Sequence, residues 1–171
     1  MNSRCGEEFQ NSSSISYRPV DPDDAAFLLE IYASTRAEEL ALVPWTAEQR
    51  QAFVSMQFTA QQEHYQKKYP AARHEIILVD YRPVGHLYVA RLEQEIRIVD
   101  LALMPAERNA GVGSFSLRRL LDEAVRTAKV VTIYVENYNP SRRLFERMGF
   151  TSVEQQEIYL LMAWTPNAVN E

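Results

Sequence analysis

Apolar positions change their period several times along this chain, and each change marks an element. Ile15 to Val20 reads as a short strand, and Asp21-Pro22 as the capped start of a helix that buries Phe27, Leu28, Ile31 and Tyr32. The stretch ELALVPW, beginning at Glu39, interrupts that helix. Thr46 with Gln49 forms a capping-box pattern, opening a second helix to about Lys68 with Phe53, Met56 and Ala60 on its apolar side. Tyr69-Pro70 stops it. From His74 onward HEIILV, VGHLYVARL and EIRIVDLALM are strand-like runs joined by the turn-like DYRP and EQ, which predicts an antiparallel meander.

The helical period then returns, with Leu117, Leu120, Leu121, Ala124 and Ala128 on one side. VVTIYV, apolar and β-branched almost throughout, reads as a central strand. A short helix opening at Asn139-Pro140-Ser141 buries Leu144, Phe145 and Met148 and ends at Gly149, where a left-handed cap suits glycine. FTSVEQQ and IYLLMAW close the chain as a strand pair. The pattern predicts a mixed α/β fold in one domain over residues 15–165, with a flexible leader over 1–14 and a tail over 166–171.

Composition narrows the function classes. At 171 residues, 46% hydrophobic and 24% charged, the chain has the make-up of a soluble globular protein. No apolar run nears the roughly 20 residues that span a bilayer, and the leader has no apolar signal core, so a cytoplasmic location without membrane contact is expected. The single Cys5 allows no internal disulfide. A net charge of −5 with scattered basic residues argues against nucleic acid and suits a cationic partner. His64, His74 and His86 are not spaced as a metal set, although His86, beside Gly85 in a strand, is within reach of a cleft.

Two of only five glycines stand just before the third helix, as Arg108-x-x-Gly111-x-Gly113. A helix start leaves backbone N–H groups unpaired and carries the positive end of the dipole, and glycine lets an anion approach closely. With Arg108 adding charge, the segment reads as a phosphate or pyrophosphate cradle. A plain tight turn with an exposed arginine is the alternative. A P-loop is excluded because Ser114-Phe115 follows Gly113 where Lys-Ser/Thr is required, and a dinucleotide fingerprint lacks its third glycine.

The stretch Pro105-x-x-Arg108-x-x-Gly111-x-Gly113 resembles motif A of the GCN5-related N-acetyltransferase superfamily, and VENYNPSRRLFERMGF resembles its motif B. The resemblance implies a mostly antiparallel sheet splayed at the cofactor site and flanked by helices. It implies acetyl-CoA or coenzyme A as cofactor, with its pyrophosphate on the backbone of Arg108, Asn109, Ala110, Gly111, Val112, Gly113 and Ser114. Its pantetheine arm would lie along Leu101, Ala102 and Leu103. Asn139 and the helix holding Ser141, Arg142 and Phe145 would border the thiol.

The implied reaction is acetyl transfer to a primary amine, which must lose a proton before it attacks. Many members carry a tyrosine that donates toward the sulfur; here Phe145 stands in its place and cannot donate. Tyr138 and Ser141 are nearby substitutes. Asp100, a charge inside an apolar strand run, is the candidate base or ammonium ligand if it faces the cleft; otherwise it pairs with an arginine or faces solvent. Tyr134, Glu38 and Trp45 are candidates for the acceptor site. The acceptor itself, a small molecule or a peptide amine, stays open, as does the choice of monomer or homodimer. A coenzyme-A-binding regulatory module without catalysis, or a scaffold on the same fold, are the competing expectations.

Overall fold

The computed structural model describes residues 13–167. The expected leader and tail, with Cys5, fall mostly outside that range. Seven strands form one sheet: β1 (Ile15–Pro19), β2 (Arg73–Val79), β3 (Arg82–Arg91), β4 (Glu95–Leu103), β5 (Val130–Glu136), β6 (Thr151–Gln156) and β7 (Tyr159–Trp164). Their order is β1-β2-β3-β4-β5-β7-β6, antiparallel except where β4 meets β5. The meander is therefore β2 to β4, and VVTIYV is central, as expected.

Helix α1 (Ala25–Ala41) follows a 3₁₀ turn, Pro22–Asp24, and α2 (Ala47–Lys68) follows a short link. The expected interruption at ELALVPW is smaller than its sequence suggests, because Glu39, Leu40 and Ala41 stay helical. Thr46 and Gln49 do form reciprocal caps on α2, at 3.1 and 2.9 Å. Its buried side is not the expected one: Met56 is 61% exposed and Ala60 is exposed, while Val54 is buried and Phe58, Gln61 and Tyr65 are partly so. Those four are spaced 4, 3 and 4 residues apart, one helical face displaced from the predicted one. The reason is that α2 covers a cleft rather than the main core, so its inward face carries polar tips.

The two faces of the sheet differ in kind. Helix α3 (Val112–Thr127) crosses between the parallel strands β4 and β5 and packs Leu117, Leu120, Leu121 and Ala124 on Ile96, Ile98, Val131 and Ile133. Ala128 is not part of that face: it is exposed at φ 53°, in the left-handed turn that ends α3. A smaller cluster, Leu28, Ile76 and Leu78 with Phe58, joins α1 and α2 to the opposite face. Helix α4 (Arg142–Arg147) buries Phe145 edge-on against Phe150 at 5.4 Å, and Gly149 ends it at φ 95°.

One irregularity prepares the site. Strand β3 pairs Tyr88 with Asp100 but Val89 with Ile98, so Val99 is an extra residue, a β-bulge. Before the bulge Ile96 and Ile98 face α3; after it Leu101 and Leu103 do. The phase change turns Asp100 away from the α3 core and onto the face beneath α1 and α2. Pairing between β4 and β5 also ends at Ile98–Ile133, and from there the two strands diverge.

Candidate active site

The gap between β4 and β5 opens into a cleft of about 170 Å³ beneath α1 and α2. At roughly 30 Å³ per water it has room for a handful of solvent molecules or a small polar group. Val99 to Ala102 of β4 and Ile133 to Glu136 of β5 form its sides, with Tyr32 and Arg36 from α1 and Tyr65 from α2 above. Ser141 and Phe145 close one end.

At that end the chain leaves β4, makes a 3₁₀ turn over Pro105–Glu107 and enters α3. Asn109 at φ 61° and Gly111 at φ 86° both lie in the left-handed region. A Cβ on Gly111 would meet nothing within 4 Å, so its requirement is conformational and not steric. Among the described residues, the N–H groups of Asn109, Ala110, Gly111, Val112, Gly113 and Ser114 have no intramolecular acceptor, and Phe115 N–H, bonded to Gly111 O at 2.9 Å, is the first one paired. Left-handed residues alternating along such a run gather donors into an anion-binding concavity at the positive end of a helix. Gly113 is buried, 3.0 Å from Leu144 Cδ2 at its would-be Cβ. On β3, a Cβ at Gly85 would come within 2.5 Å of Ala102 O, so only glycine lets β4 keep its course past this point.

The Arg108 side chain is turned back from this run. Its Nε donates to Leu103 O at 3.2 Å and a terminal nitrogen to Ser34 Oγ at 3.3 Å, fastening the turn to α1.

On the floor of the cleft, Asp100 is 30% exposed at its side chain and lies 3.3 Å from Nε2 of the buried His86. His86 Nδ1 lies 2.9 Å from His74 Nε2. Burial alone would raise the Asp100 pKa, but the charge and hydrogen bond of His86, the charge of His74 and the Leu101 amide together hold it below the usual carboxylate range. The opposite holds for Tyr65: burial and the neighbouring Asp100 charge push its hydroxyl upward, so it remains a donor.

The candidate acceptor residues separate. Tyr134 lines the cleft, with the Arg97 guanidinium 4.8 Å from its ring centre. Glu38 and Trp45 do not line it; Glu38 is exposed, and Trp45 packs edge-on against Phe53 at 5.0 Å. Asn139 and Ser141 reach the cleft, whereas Tyr138 is 98% exposed and stands apart from it. The Ser141 amide bonds the Asn139 side chain at 2.9 Å, and its hydroxyl has no partner among the described residues. Arg142 pairs instead with Glu146, one turn along α4, at 2.8 Å.

Sequence reasoning missed several lining residues. Arg36 reaches from α1 to Glu136 of β5 at 3.2 Å, and Tyr65 and Tyr159 add hydroxyls from α2 and β7. Nothing local marks them, because four separate elements converge there.

A sequence model of the acetyltransferase (GNAT) family matches residues 26–150. The chain belongs to that family. This GNAT protein is similar in fold to the PaiA N-acetyltransferase of Thermoplasma acidophilum, solved in complex with coenzyme A, at TM-score 0.67 and 13% identity over 89% of this chain and 99% of that one. It is similar to an acetyltransferase of Thermus thermophilus at TM-score 0.62 and 18% identity, over 89% and 97%. YncA of Salmonella typhimurium, solved with its cofactor acetyl-CoA, aligns at TM-score 0.55 and 20% identity, over 92% and 96%. No curated protein matches the chain in sequence. Among the described residues, no helix is long and apolar enough to cross a membrane.

Proposed function

We propose that this GNAT protein transfers an acetyl group from acetyl-CoA to a primary amine. The observation that carries this reading is the run of six unpaired backbone N–H groups, Asn109 to Ser114, at the mouth of a gap whose floor holds an ionised carboxylate. The residues fit the cofactor: donors without acceptors suit a pyrophosphate, and the β4 edge beyond Ile98, unpaired with β5, suits the amides of a pantetheine arm. When bound, acetyl-CoA supplies an electrophilic thioester and a thiol leaving group.

The chain's own residues do the rest. Backbone N–H groups of the α3 turn bind the diphosphate, and Leu101 to Leu103 align the arm along β4. Arg108 supports that turn by anchoring it to α1. Asp100 binds the acceptor's ammonium and relays its proton to water in the cleft as the amine attacks, while Tyr65, Tyr134 and Tyr159 give the cation an aromatic and hydroxylic surround. The Ser141 hydroxyl serves the thiol end in place of the donor that Phe145 lacks, and Phe145, fully buried, keeps water from that end. Holding the two reactants together supplies much of the acceleration.

Calorimetric titration with acetyl-CoA, followed by a thiol-release assay over a panel of primary amines, tests the reading. Saturable binding and amine-dependent release of coenzyme A support it; absence of binding by folded protein overturns it. Phe145 favours one second reading, a coenzyme-A-binding regulatory module, for which the same experiment gives binding without turnover on every amine.

A further inference from the structure

His86 and His74 are left without a task by the chemistry above, yet their geometry is constrained. His86 is 5% exposed, so both ring nitrogens need partners inside the protein. Nδ1 has His74 Nε2 at 2.9 Å, and Nε2 has Asp100 Oδ2 at 3.3 Å. His74 is itself fixed, stacked on Tyr88 with ring centres 4.2 Å apart and planes 6° from parallel. Only one proton fits between the two imidazoles. If a neutral His86 gave it, the bare Nε2 lone pair would face the Asp100 carboxylate, two acceptors in contact, whereas a charged His86 would donate from both nitrogens and again present an N–H to Asp100. If His74 gives it, His86 presents an N–H to Asp100, and every group is satisfied. In each satisfied arrangement His86 Nε2 donates to Asp100, and His74 holds the far side of the His86 ring.

We infer that His86 and His74 are positioning residues, which in series present Asp100 to the acceptor site as a fixed, ionised carboxylate and so select the ammonium form of a primary amine as the species that enters. The inference rests on the proposed acetyl transfer for its substrate, but not for its central physical claim. Asp100 shares the cleft with the apolar Leu101, Ile133 and Phe145 as well as with polar groups. Without the His86 N–H, burial would be opposed only by the Leu101 amide and the His74 charge. Other titratable or charged groups facing the same cleft are Tyr65 from α2, Tyr32 and Arg36 from α1, Tyr134 and Glu136 from β5 and Tyr159 from β7, and the Asp24 carboxylate acts on His74.

The test uses the full chain with His86→Leu and His86→Asn. The Asp100 carboxyl is followed by carbon NMR across pH in the protein alone, and the acceptor KM and kcat are measured at pH 5 and pH 8. In His86→Leu the Asp100 midpoint is expected to rise by about one pH unit or more, with a rise of about twofold in amine KM at pH 5 that recedes at pH 8. His86→Asn, which keeps an N–H donor, should recover part of both effects. Acetyl-CoA affinity should stay within about twofold, because no phosphate donor is touched. An unmoved Asp100 midpoint in His86→Leu, or a fall in kcat with amine KM unchanged, overturns the inference. Should His86→Leu fail to fold, His74→Leu, which has no donor, breaks the outer link, and an unmoved midpoint there overturns it equally. Failure of wild type to bind acetyl-CoA defeats the proposed function alone, since the NMR titration still decides what the histidines do to Asp100.

Discussion

The two ends of the cleft are built on different plans. At the α3 end, six donors come from six consecutive residues, and all of them are backbone atoms. On the floor, Asp100, His86 and His74 come from three separate strands, and every acting group is a side chain. A backbone site depends on φ and ψ over one turn, so it tolerates side-chain change and is encoded locally. A side-chain site depends on strand register, and a one-residue slip would send Asp100 into the α3 core. The first plan suits what every acyl-CoA has in common. The second suits an acceptor that differs from one enzyme to another.

Removing the charge on the floor should break the comparison most sharply. Asp100→Asn is expected to lower kcat/KM by about 10²–10⁴, the range for a lost acid–base group, while acetyl-CoA affinity measured by calorimetry barely moves. Equal losses in turnover and cofactor affinity would mean that the two ends are not separable.

Next in size is the response of folding to acid. Burial, reinforced by the His86 charge, lowers His74 to about 4, against an ordinary 6.5. Between those values the unfolded chain binds a proton that the native state refuses. Stability is therefore complete above pH 6.5 and falls as pH drops toward 4. The loss is at most about 3 kcal/mol at about 1.36 kcal/mol per unit, and less because the ring keeps partial contact with solvent. Urea unfolding at pH 7 and pH 4.5 measures the fall. His74→Gln should flatten it, while sharing none of the effect of a cradle variant.

The cradle offers a smaller, purely conformational perturbation. Gly111→Val meets no neighbour, so its cost is the left-handed backbone, about 1–3 kcal/mol for a β-branched side chain. If the turn relaxes to escape that cost, acetyl-CoA affinity should fall by about tenfold, near 1.4 kcal/mol, with the amine KM little changed. Calorimetry beside steady-state kinetics separates the two.

This asymmetry also decided what the sequence could reveal. Gly111 and Gly113 could be read as a donor turn because their meaning is local, whereas Arg108, expected to add charge there, turns back to Leu103 and to Ser34 of α1; the strand and helix periods around them mapped onto elements with small errors at the ends. Asp100 could be singled out as a charge in an apolar run, but its direction depended on Val99. The signal was present: apolar positions run even at Ile96 and Ile98 and odd at Leu101 and Leu103, and that switch of phase is the bulge. The α2 face was misjudged because amphipathic counting assumes that the inward side is dry, and here Gln61 and Tyr65 look into a cleft. His74 and His86 lie 12 residues apart on paired strands, so their contact follows from the register His86–Ile76 rather than from any spacing along the chain.

The finest distinction concerns the thiol end, where two hydroxyls were candidates from sequence and the structure separates them by exposure. Tyr138 is 98% exposed and has no place among the cleft-lining side chains, whereas Ser141 lines the cleft, with its amide tied to Asn139. Tyr138→Phe should leave kcat and both KM values within about twofold, as surface changes away from a site do. Ser141→Ala should lower kcat by about tenfold with acetyl-CoA affinity preserved, since one hydrogen bond realised only during transfer is worth about 1.4 kcal/mol. A larger loss in Tyr138→Phe than in Ser141→Ala would mean that the loop folds inward when the cofactor binds. The thiol end would then be assembled by the ligand, unlike the preformed donor run at the start of α3.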